Sequence, residues 1–104
     1  METRWTERAD RSLDVIFDYY KEKSEQAANR IIGEIIDSSR RLTVFPQMAP
    51  VEPSLGNRSE TFRALSVKNR YKIIYYVDAA ADEIVIVTVW DCRRSPEGLT
   101  DLAK

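Results

Sequence analysis

The chain has 104 residues, 16 of them basic and 17 acidic for a net charge of −1, and it contains no histidine. A pI near 5.5 excludes the all-over cationic coating of a nucleic-acid-binding domain, whose pI often exceeds about 9. The missing histidine excludes a two-imidazole ribonuclease and any Ser-His-Asp or Cys-His nucleophilic site.

This length predicts one domain, residues 1–104, burying roughly 65% of the surface that the unfolded chain exposes. No apolar N-terminal run follows a basic stretch, so no signal peptide is expected. No segment approaches the ~20 apolar residues of a membrane helix. The lone cysteine, Cys92, rules out an internal disulfide and fits a reducing cytosol. A cytoplasmic protein is the expectation.

Glu2 to Trp5 reads as a short edge strand. Thr6 is a suitable N-cap, and Glu7 stands at the positive end of the helix dipole. Ala9, Leu13, Ile16, Phe17 and Tyr20 recur at helical spacing, with Arg8, Asp10, Arg11, Asp14 and Asp18 on the other face. This helix is expected to run to about Lys23. Ser24-Glu25 starts a second helix, whose buried stripe is Ala28, Ile31, Ile32, Ile35 and Leu42. Gly33 is a weak point costing ~1 kcal/mol against Ala. The short link implies an antiparallel helical hairpin, and Phe45-Pro46 stops the second helix because the residue before proline avoids the α region.

Residues 46–60, with Pro46, Pro50, Pro53 and Gly56, form a loop long enough to be functional or mobile. Phe62 to Val67, Tyr71 to Val77 and Glu83 to Trp90 are rich in β-branched and aromatic residues and read as strands. The fold class is α+β: an N-terminal strand, a two-helix hairpin, then a three-stranded antiparallel meander. Strand parity puts Tyr71, Ile73, Tyr75 and Val77 on one face and Lys72, Ile74 and Tyr76 on the other. The helices cover one face. The other is expected to need a second cover, with a partner chain as the natural candidate and self-association as an option.

Charge is uneven along the chain. Residues 1–52 hold 10 acids and 8 bases, whereas 58–72 hold Arg58, Arg63, Lys68, Arg70 and Lys72 against Glu60 alone. A local cationic groove is therefore permitted. Metal binding is not expected, because Asp78, Asp82 and Glu83 flank a turn without a ligand pattern. Cys92 has no imidazole partner and reads as an inert thiol. The exposed aromatics, including Tyr19 and Tyr20, are expected to pack rather than to stack on bases.

Taken in order, Trp5-Thr6 with Ala9, Leu13, Ile16 and Tyr20, then Leu42 with Phe45-Pro46, form the first half of a pattern. Arg63, Leu65 and Val67, then Tyr71-Lys72-Ile73 with Tyr75, and finally Arg93-Arg94 with Pro96 complete it. Along nearly its whole length the chain resembles the RelE/ParE superfamily of type II toxin–antitoxin toxins, the plasmid-stabilisation proteins among them. The resemblance implies a small antiparallel sheet with two helices packed on it, and an antitoxin that wraps the exposed sheet face and groove. Two activities occur on this fold, mRNA cleavage in the ribosome by RelE-like members and gyrase poisoning by ParE-like members, and fold alone does not choose.

By that resemblance Lys72 and Arg93 would lead catalysis in a nuclease, with Arg63 in support. Arg94 and Arg70 would bind phosphate or the target. Bidentate arginine would hold the phosphate, and Lys72 would serve as a base only with a lowered pKa. The alternatives are a solvated strand lysine or antitoxin contact for Lys72, a solvent-exposed strand end or a salt bridge to Asp91 or Glu97 for Arg93-Arg94, a structural role for Arg63, and simple surface charge for Arg58, Lys68 and Arg70. Asp91-Cys92 stands where the family often has His-Gly, Lys72 stands where it often has Arg, and no Tyr or His follows Pro96. The lack of a Tyr or His after Pro96, together with a chain that is not basic, favours a ParE-like, non-enzymatic gyrase poison. A RelE-like ribosome-dependent nuclease and a toxin relic are the alternatives. No cofactor is expected. The expected partners are a cognate antitoxin and either gyrase or the translating ribosome, in a homodimer or a heterotetramer with the antitoxin.

Overall fold

The computed structural model describes residues 1–56 and 58–93. Strand β1 (Glu2–Trp5) leads into helices α1 (Glu7–Lys21) and α2 (Glu25–Arg41), a 3-10 turn (Pro53–Leu55), and strands β2 (Arg63–Val67), β3 (Tyr71–Asp78) and β4 (Glu83–Asp91). The sheet order is β1-β4-β3-β2. The last three strands form the expected antiparallel meander. β1 joins at the edge parallel to β4, so the sheet is mixed.

Local chemistry accounts for the helix ends. The Thr6 side chain accepts a hydrogen bond from the Ala9 amide at 3.2 Å, and Ser24 does the same for Ala27 at 3.1 Å. Each such cap contributes about 1 kcal/mol. α1 stops at Lys21, two residues before the expected Lys23, because the Lys23 and Ser24 amides both fold back onto the Tyr20 carbonyl. Gly33 sits in α2, and a methyl group there would meet nothing within 4 Å. Gly33→Ala is therefore expected to stabilise the chain by about 1 kcal/mol, read as a raised Tm; a lowered Tm would show that the site needs glycine.

Parity along β3 holds. Tyr71, Ile73 and Tyr75 enter the main core with Ala9, Ile16, Ile35 and Leu42, and Val77 packs at its margin. β4 carries a bulge opposite the Ile74–Tyr75 step. α1 satisfies the backbone groups that this irregularity frees. Thr6 Oγ1 lies 3.1 Å from the Ile86 carbonyl and 3.2 Å from that of Val87, and the Val89 amide donates to Ser12 Oγ at 3.0 Å. Helix start and sheet irregularity are thus locked together.

The second sheet face departs from expectation. Ile74 is fully buried, and it packs in a satellite core with Ala64, Trp90, Leu55 and Phe62, with Tyr76 and Val87 partly buried at its rim. Phe62 meets Tyr76 edge-on with centroids 5.5 Å apart. A cover here comes from the chain's own proline-rich segment. Glu52 donates its amide to the Phe62 carbonyl at 2.9 Å, and Ala64 donates to that of Pro50 at 3.0 Å. Those bonds, with a bridge from Val51 to Arg63, fold the loop along β2. Composition marked a loop here, but irregular spacing hid its apolar anchors.

Two residues of the β2–β3 turn, Lys68 (φ 56°) and Asn69 (φ 54°), are left-handed. Consecutive positive φ values match the twist of a tight hairpin. For a lysine that conformation costs roughly 1–2 kcal/mol.

Candidate functional site

The cations proposed from sequence lie on both sides of the sheet. Lys72 pairs in register with Ser66 and Trp90 and shares the face of Ile74. Its ammonium donates to Glu52 Oε1 at 3.1 Å. Glu52 is 6% exposed and also accepts from the Ser54 amide at 3.2 Å and hydroxyl at 2.8 Å. Burial pushes its carboxyl up, but the bonds from Lys72 and Ser54 outweigh burial and hold it below the usual carboxylate range. Lys72 therefore serves as a donor to a buried anion. A general base would need the opposite, a free lone pair aimed at a substrate.

Arg63 takes the other face, which it shares with Leu65 and Val67 of the main core. Its Nη1 donates to the Ala49 carbonyl at 2.7 Å, so it clamps the covering loop to β2. Arg93 also lies on the helix side. Its guanidinium grips Asp91 through two contacts, Nε to Oδ1 at 2.9 Å and Nη2 to Oδ2 at 2.6 Å. It also lies 5.6 Å from the ring centroid of Tyr19 on α1. The Arg93 contact holds Asp91 below the usual carboxylate range, and Asp91 in turn raises Arg93. Arg94 falls outside the described residues. Lys72, Arg63 and Arg93 thus do not converge on one point.

A different cluster forms where α1 ends and β3 begins. Tyr20 Oη accepts from Arg70 Nη1 at 2.6 Å and from Tyr71 Oη at 3.3 Å. Burial pushes the Tyr20 phenol up, yet the two donors overcome it and leave it below the ordinary value. Tyr71 moves up, through burial first and then its donation to Tyr20. The neighbouring Tyr19 phenol is lowered by Arg93 and Lys23. Arg70 and Arg93, proposed from sequence, therefore share one end of the sheet with Tyr71 and with Tyr19 and Tyr20, which were expected to pack. The one sequence signal for that cluster was the Tyr19-Tyr20 pair at the end of an amphipathic helix.

Alongside this cluster a groove of about 550 Å³ runs between α1 and the end of β4. Arg8, Arg11 and Arg93 form its basic rim, and Val15, Ile16 and Tyr19 its apolar wall. Val15 is 69% exposed. Cys92 lies outside this chemistry, its thiol pushed up by burial, as an inert thiol would be.

Comparison with known proteins adds to this geometry. The family model described as the ParE toxin of type II toxin–antitoxin system, parDE, matches residues 3–96. A solved structure titled "Chromosomal ParDE TA system from P. aeruginosa" superposes with a TM-score of 0.69 at 23% sequence identity, covering 88% of this chain and 95% of that one. At that identity the likeness concerns the fold. No curated protein matches the sequence.

Proposed function

We propose a function from one premise, that this chain belongs to the family of ParE toxins of type II toxin–antitoxin systems: it arrests growth by poisoning DNA gyrase, and a cognate antitoxin neutralises it. The match over residues 3–96 carries the reading. The placement of the cations supports a binding mode over a cleaving one. Transesterification of RNA needs base, acid and phosphate-holding charge around one phosphate. Here Lys72 answers Glu52 on one face, while Arg63 and Arg93 answer Ala49 and Asp91 on the other.

The toxin acts in the cytoplasm, as one domain, and no helix among the described residues is long and apolar enough to cross a membrane. The amphipathic groove beside α1 offers the antitoxin both apolar area and charge. Brief induction in bacteria tests the activity, with RNA 5′-end mapping alongside a supercoiling assay of purified gyrase. Inhibited supercoiling, a DNA-damage response and intact messages are expected. New cuts inside translated codons would instead make the chain a ribosome-dependent nuclease, and undisturbed growth would make it a relic.

A further inference from the structure

We propose that the recess between the β2–β3 turn and α2 binds a backbone phosphate of a nucleic-acid strand. It holds about 320 Å³ and is lined by Tyr20, Arg30, Ile31, Glu34, Lys68 and Arg70. Three cations face one carboxylate there. Glu34 reaches Lys68 Nζ only at 3.5 Å, in a pair whose lysine side chain is 63% exposed. Such a contact is weak and easily exchanged. Among the described residues the Arg30 side chain, exposed on α2, makes no hydrogen bond or ion pair, while the Arg70 side chain is oriented by its 2.6 Å bond to Tyr20. One guanidinium is thus fixed and another is available, the combination that grips phosphate by parallel N–H bonds.

The turn supplies an independent observation. Lys68 occupies a left-handed position (φ 56°) that glycine, asparagine or aspartate would fill with less strain. A long cationic side chain kept in a disfavoured backbone conformation points to a use for the charge. The recess offers room for a phosphate group among its three cations. Tyr19 and Lys23, with the lysine nitrogen 5.1 Å from the ring centroid, extend the basic and aromatic surface beyond Tyr20. That combination follows a strand by charge and stacking. The site lies apart from Lys72 and stands whether or not gyrase is the target.

The test is fluorescence anisotropy of the full chain with a labelled 20-base-pair DNA duplex and a labelled single strand of the same length, at several salt concentrations. Arg30→Ala and Lys68→Gly serve as variants, the second keeping the turn's favoured backbone while removing the charge. Each is expected to weaken binding about tenfold and to lower the salt slope by about one, with Lys68→Gly retaining or raising Tm. Preference for duplex or single strand identifies the form of the ligand. Unchanged affinity in the double variant, or no binding at 50 mM salt, would overturn the site. Binding of a polyglutamate peptide but not of DNA would overturn it equally and assign the recess to an acidic protein.

Discussion

Lys72→Met is expected to destabilise the chain by about 2 kcal/mol at neutral pH, and Glu52→Gln/Lys72→Met to recover more than half of that loss. Removing one member of a fully buried pair costs roughly 3–5 kcal/mol, because the other charge is stranded. The figure here is discounted for solvent screening, since the Lys72 side chain is 38% exposed while that of Glu52 is only 7% exposed. Urea denaturation of the three proteins checks it. Equal stability of wild type and Lys72→Met would mean that the pair contributes nothing.

The sign of the pH dependence follows from Glu52. Its folded pKa lies below the ordinary value, which for glutamate is near 4.3. The stabilisation is therefore complete above that value and is lost as pH falls through the lower folded one. The double variant is expected to lack this acid loss. The same pair bears on function. A Lys72→Ala protein that loses toxicity would not by itself identify a catalytic lysine, because a destabilised toxin is also less abundant. Toxicity regained on adding Glu52→Gln would assign Lys72 a structural role.

Ile74→Ala is expected to cost about 3 kcal/mol, on the face that sequence parity left without a cover from its own chain. Ile74 is fully buried among Leu55, Phe62, Ala64 and Trp90, so truncation leaves a cavity between the sheet and the 3-10 turn. For a domain of this size the shift in Tm is on the order of 15 °C. The measurement is made on the isolated chain, without antitoxin. A cost below about 1 kcal/mol would mean that the proline-rich segment is not seated on the sheet and that the face is open to a partner.

Much of the fold was legible because its signals are local. Thr6 and Ser24 cap the helices they precede, a 3.6-residue apolar stripe places Ile16 and Ile35 in the core, and alternation along Tyr71–Asp78 decides which side chains face the helices. The site was less legible. Lys72 and Arg93 are set apart in sequence by charge and by neighbours, but alternation fixes a face only for Lys72, within β3, because Arg93 lies past the end of β4. Asp91, two residues from Arg93, was one of the two partners expected for it, and the structure shows that pair. Glu52 was not, since it lies 20 residues from Lys72 in a segment with no periodicity.

The sequence by itself determined the order of elements, the helix starts, the buried face of β3 and the excess of cations between residues 58 and 72, all properties written in caps, spacing and composition. Only the tertiary structure decided that the loop covers the second face, that Glu52 meets Lys72, and that Arg70 and Arg93 meet the tyrosines of α1. The physical reason is range. Periodicity reports which way a side chain points within its own element, whereas a partner across the sheet is chosen by register, a bulge and the path of a loop, and the energies that select it act between residues dozens of positions apart.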